Sequence, residues 1–119
     1  MKDAVDVVID KKEYSLRPTF AAIVSIEDKI HKSILSVAQS VTLAGSSAPL
    51  THYEVTTIIH ECMLEAGGTL TFADLGKVIY DEGIMKYLPI AIEIIDKALT
   101  PAPEKALTSS ESPKSPKEG

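Results

Sequence analysis

EYSLRPTFAAIVSIED, residues 13–28, changes period in mid-run. Tyr14, Ser15 and Leu16 alternate as a strand does, its side chains pointing in turn to opposite faces. Pro18 has no N–H for a strand ladder and drives Arg17 toward extended geometry. Thr19 then stands where a helix N-cap belongs. Beyond it Phe20, Ile23, Ile26 and Ile30 recur at helical spacing, with Glu27, Asp28 and Lys29 polar. A strand hands over to an amphipathic helix within two residues, so the fold combines both.

Working upstream, Val5 to Ile9 (VDVVI) is rich in β-branched residues, and Asp10, Lys11 and Lys12 fall before the second alternating run. This reads as a β-hairpin, although the turn lacks the Asn-Gly or Asp-Gly pair of a tight primed turn. Two strands alone are marginal in water. They must lie on helices or extend another chain's sheet.

Working downstream, Ser33 is placed to cap a second helix from Ile34 to about Val41, and the run 44–49 (AGSSAP) reads as a loop. Thr51 and Glu54 have capping-box spacing. Val55, Ile58, Ile59, Cys62, Met63 and Ala66 follow as a buried stripe, closed by Gly67-Gly68. Thr71 and Asp74 open the next helix, with Phe72, Leu75, Val78 and Ile79 inward and Gly83 at its end. The last helix covers Ile84 to Leu99, with Pro89 forcing either a kink or a start near Leu88.

The chain has 119 residues, 45% apolar, with four Tyr, two Phe and no Trp, which gives one domain with an aliphatic core. Residues 1–99 form that domain. Residues 100–119 hold four prolines, four serines and no apolar period, a composition that reads as a disordered tail. The expected architecture is α+β and mostly helical: an N-terminal hairpin, then four to five short helices.

Net charge is −5 and the only adjacent basic pair is Lys11-Lys12, which argues against a nucleic-acid partner. A helix-turn-helix over 52–82 would present Glu54, Glu61, Glu65, Asp74, Asp81 and Glu82 to DNA. The single cysteine, Cys62, excludes an internal disulfide. MKDAVDVVID has no apolar run after its Lys, so no signal peptide is expected, and no window approaches a membrane span.

Chemistry is sparse. His60-Glu61 begins the zinc-protease pattern HExxH, but Leu64 replaces the second histidine. His52 and His60 read as a solvated pair rather than metal ligands. Cys62 lies on the apolar stripe, and His60, two residues away, points elsewhere, so a nucleophile is not expected. Glu61 and Glu65 read as a solvated face. No catalytic, metal or cofactor site is expected. The last helix is more informative. Leu88, Ala91, Ile92, Ile95, Ala98 and Leu99 form one apolar stripe, and Tyr87, Ile90 and Ile94 form a second beside it. An apolar arc this wide is either enclosed by its own domain or partly open to another chain. Tyr87, Ile90 and Ile94 are the candidate partner contacts.

Several short elements occur in a telling order: Leu-Arg-x-Thr-Phe at 16–20, Ile26-Glu27, Ser33-Ile34, Leu50-Thr51 with Glu54, small residues at 66–68, and Leu75-Gly76 with Gly83. In order and spacing, residues 5–99 resemble the tail assembly chaperone family of phages and gene transfer agents, a group also labelled tail tube proteins. Lys32 departs from the pattern, since a glycine is expected there to close the first helix. That leaves open whether the first two helices run on as one. The resemblance implies a non-enzymatic, cofactor-free protein. It would bind the tail tape-measure protein, keep it soluble until tube subunits assemble, and leave the finished particle. The tail tube protein and a second copy of the chain are further partners. The place of action would be the bacterial host cytoplasm. The competing reading is a structural, tube-type component of the tail, against which the shortage of predicted strand counts. A small enzyme is a weaker alternative.

Overall fold

The computed structural model describes residues 4–44 and 50–101. Strands β1 (Val5–Ile9) and β2 (Lys12–Leu16) form an antiparallel hairpin, followed by helices α1 (Phe20–Ile30), α2 (Ile34–Ala44), α3 (His52–Glu65), α4 (Phe72–Glu82) and α5 (Ile84–Leu99). The α+β expectation holds. The proposed loop at 44–49, beyond Ala44, and the proposed disordered tail, beyond Pro101, lie outside the described residues.

The hairpin pairs Val5 with Leu16, Val7 with Tyr14 and Ile9 with Lys12. Its two-residue turn holds Asp10 at φ 51° and Lys11 at φ 68°. That is the primed geometry that matches strand twist, reached here without glycine. Val5, Ile9 and Leu16 face inward and are buried.

At the strand-to-helix step, the Arg17 N–H donates to the Cys62 carbonyl at 3.1 Å, fastening the hairpin exit to α3. The Thr19 hydroxyl accepts from the Ala22 N–H at 3.1 Å as the N-cap of α1. Phe20, however, is 85% exposed. At about 100° per residue it stands roughly 120° round from the buried line Ala22–Ile26–Ile30.

The break between α1 and α2 is real despite the missing glycine. His31 takes the left-handed conformation, φ 59°, that a glycine normally supplies at a helix end. The Ser33 hydroxyl accepts from the Ser36 N–H at 3.0 Å. The Glu27 carboxylate reaches across the break to accept from the Ile34 N–H at 2.9 Å. The acid of the Ile-Glu pair thus caps the following helix.

Helix α3 is the axis of the molecule, packed against α1, α4, α5 and β2. Every residue from Glu54 to Met63 is buried, polar ones included. The amphipathic stripe read from the sequence is therefore too narrow, because neighbours cover the other faces as well. Gly68 lies against the Met63 side chain, and a Cβ there would overlap it. Helix α5 starts at Ile84, not near Leu88, after Gly83 at φ 101°. Pro89 sits inside it and supplies no N–H to the Met85 carbonyl.

Candidate functional site: a groove between two helices

Helix α5 divides its apolar surface between two neighbourhoods. On a helical wheel, Tyr87, Ala91, Ile94 and Ile95 centre on the face packed into the domain, and all four are at most 3% exposed. About 130° round lies a second flank carrying Met85, Pro89, Ile92 and Leu99. Together with Ala38 and Val41 of α2, this flank walls an open groove of about 670 Å³. Met85 and Leu99 are 65% and 45% exposed, and Leu88 and Ile95 form the floor.

The wide arc foreseen in the sequence is therefore both things at once, enclosed on one flank and open on the other. The three candidate contacts lie on the enclosed flank. Tyr87 and Ile94 are fully buried, and Ile90 is half-buried against the core. The Tyr87 hydroxyl donates to the Glu82 carboxylate at 2.6 Å, a bond that ties α5 to the end of α4. In the folded domain Tyr87 and Ile94 are core residues.

The groove's electrostatics are simple. Among the described residues that line it, the charged ones are Glu93 and Asp96, both acidic. Thr42 of α2 adds a hydroxyl at the rim. The arrangement is an apolar trough about 21 Å long, taking α5 from Met85 to Leu99 at 1.5 Å per residue. An amphipathic helix or an extended apolar segment fits such a trough.

The polar residues considered for chemistry occupy structural positions. Glu54 and Glu61, expected on solvated faces, are buried on the side of α3 facing α1. Lys32 Nζ lies 2.6 Å from Glu54 Oε2, and Lys29 Nζ lies 2.5 Å from Glu61 Oε2. Burial alone would raise both carboxyls. The lysines, with bonds from Thr51 to Glu54 and from Ser25 to Glu61, outweigh it and hold both below the ordinary range. Glu65 is exposed.

His60 is also buried rather than solvated, with Nε2 2.9 Å from the Leu70 carbonyl oxygen and its ring edge-on to Phe72. The His52 ring stands 6.0 Å from Tyr80. Among the described residues no group of three or more His, Cys, Asp or Glu side chains is placed to hold a metal. Cys62 is fully buried, and burial beside Glu61 and Glu65 pushes its thiol up to about 12, which leaves almost no thiolate near neutral pH. None of the described helices is long and apolar enough to cross a membrane.

A search of curated proteins and a search of solved structures each returned no match. The sequence profile of one family, described as "Phage tail tube protein, GTA-gp10", matches residues 2–100. That span takes in the hairpin, the five helices and the groove, so the chain belongs to this family of phage and gene-transfer-agent tail proteins.

Proposed function

We propose that the chain serves tail assembly as a non-enzymatic binding protein, with the α2–α5 groove receiving an apolar helical face of another tail protein. The groove is the observation that carries this reading: an open, helix-length apolar trough on a small acidic domain. Burying large exposed side chains such as Met85 and Leu99 supplies the driving force. The acidic body keeps the loaded complex soluble.

Two roles fit. The family description supports a tube-type component that stays in the particle better than it supports a chaperone of the tape-measure protein. One observation favours the chaperone. The described sheet has two strands, and a tube joined by continuous sheet needs more. A chaperone would act in the host cytoplasm, hold the tape-measure protein and depart.

Retention separates the roles. Particles purified by density gradient and probed with antibody contain the chain at stoichiometric level if it is a tube component. Its absence from particles, together with rescue of tape-measure solubility on co-expression, supports the chaperone. If the chain neither enters particles nor binds any tail protein, the proposal fails.

A further inference from the structure

We propose that α2 is a placeholder on α5: it swings out on the hinge at residues 31–33 and yields its seat to an uncharged apolar helix of a partner tail protein. The inference rests on the reading of the α2–α5 groove as the binding surface. It adds which element makes room there and what chemistry takes its place.

Three observations carry it. The first is how lightly α2 is held. Of its 11 residues, Ile34 and Val37 are buried, while Leu35 and Leu43 stand 58% and 89% exposed. It packs against α5, whereas α3 packs against α1, α4, α5 and β2 and is buried on every side from Glu54 to Met63. A helix with few buried apolar contacts opens at lower free energy than the core beside it.

The second is the hinge. His31, at φ 59°, separates α2 from α1. Among the described residues the polar ties of α2 gather at this end. The Ile34 N–H donates to the Glu27 carboxylate, the Ser36 N–H donates to the Ser33 hydroxyl, and Lys32, just ahead of the helix, lies 2.6 Å from Glu54. Helix α2 itself carries no charged residue, so no ion pair holds it farther along. It is fastened at its root and rests on α5 by apolar contact beyond.

The third is the chemistry of the seat. Ile34, Val37, Ala38 and Val41 fall on one helical face and pack against the core. That face shows what α5 accepts: β-branched or small side chains at i, i+3, i+4 and i+7, without charge. Helices α1, α3, α4 and α5 all carry charged residues, and α2 does not. A partner helix of the same pattern that fills both seat and trough also covers Met85 and Leu99, which α2 leaves exposed. This additional apolar burial favours the exchange.

Hydrogen exchange of the full chain tests the swing. Amides 38–43 should exchange about tenfold faster, or more, than amides 56–63. Glu27→Gln should speed the α2 amides by a further factor of about three to ten and leave 56–63 unchanged. Amides in α2 as slow as those in α3 overturn the proposal. Val37→Asp should release α2 while 56–63 stay protected; loss of protection there shows that α2 is integral to the core and also overturns it.

A peptide of residues 33–44 with a lysine tag probes the seat. It should bind Val37→Asp about tenfold tighter, or more, than it binds the parent, where the tethered α2 competes at roughly millimolar effective concentration. Equal binding to the two proteins, binding to neither, or equal binding of a scrambled peptide overturns the proposal. Capture of a tail protein by a chain whose α2 stays as protected as α3 removes the placeholder and leaves the groove as a docking surface. Opening of α2 with specific peptide binding, but with no tail protein captured, removes the docking function and leaves the exchangeable seat.

Discussion

At the residue scale, the most informative side chains are polar ones in the wrong place for a solvated helix. Glu54 and Glu61 sit inside the α1–α3 contact, each met by one lysine. Their carboxyls titrate lower folded than unfolded, so the stability they contribute is full above the unfolded value of about 4.3. It is lost as pH falls through the folded values below that. We expect acid unfolding to steepen below about pH 4.3, with Glu61→Gln flattening the pH dependence and costing about 1 kcal/mol at pH 7, since half-exposed Lys29 dilutes the pair. Denaturant melts from pH 3 to 7 measure both. Unchanged acid sensitivity in Glu54→Gln/Glu61→Gln would contradict the assignment. Gly68 makes a steric counterpart. Alanine there overlaps Met63 and lies 3.1 Å from its carbonyl, so Gly68→Ala should cost about 1–3 kcal/mol in the same melts.

At the element scale, sequence and structure agree where the signal is local. Thr19, Ser33, Thr51 and Thr71 each cap the helix they precede, because a hydroxyl one step before an apolar period has one good use. The full capping box at Thr51 and Glu54 is formed as its spacing suggests. What sequence could not supply is which flank of α5 is covered. Both flanks are apolar, and the choice depends on where α2 and α4 land. Tyr87, Ile90 and Ile94 were legible as apolar but not as enclosed. The same limit hid the second duty of Glu54, since nothing in the chain's local pattern brings Lys32 to it. Phe20 could have been excluded, because the helical wheel already sets it off the 22–26–30 line.

Two predictions follow at this scale. Tyr87→Ser removes a fully buried ring and its bond to Glu82, and should destabilise the domain by about 3–5 kcal/mol in a thermal melt. A near-native melt would place Tyr87 outside the core. The hairpin turn offers the opposite sign. Lys11 holds φ 68°, a conformation that glycine adopts freely, so Lys11→Gly should stabilise the chain by about 0.5–1 kcal/mol. A loss of stability would mean that the turn is not primed.

At the scale of the whole molecule, the charge and the groove belong together. The net charge of −5 falls on residues 1–101, since three Lys balance three Glu in 102–119. A small acidic body with an apolar trough is suited to meeting an apolar helical segment while staying soluble. The family assignment places the chain among tail proteins. Glu54 and Glu61 join α3 to lysines at and beyond the end of α1, and His60 joins it to the Leu70 carbonyl ahead of α4.

The most direct measurement is co-purification of the tail proteins of the same genetic element with the chain and with Met85→Lys/Leu99→Lys. Both positions are well exposed, so each substitution should cost no more than about 0.5 kcal/mol, and the variant should melt like the parent. The account predicts that the parent captures a tail protein and that the folded double variant loses at least tenfold in capture. Equal capture by the two proteins would show that the partner docks elsewhere and would contradict the groove as the binding surface.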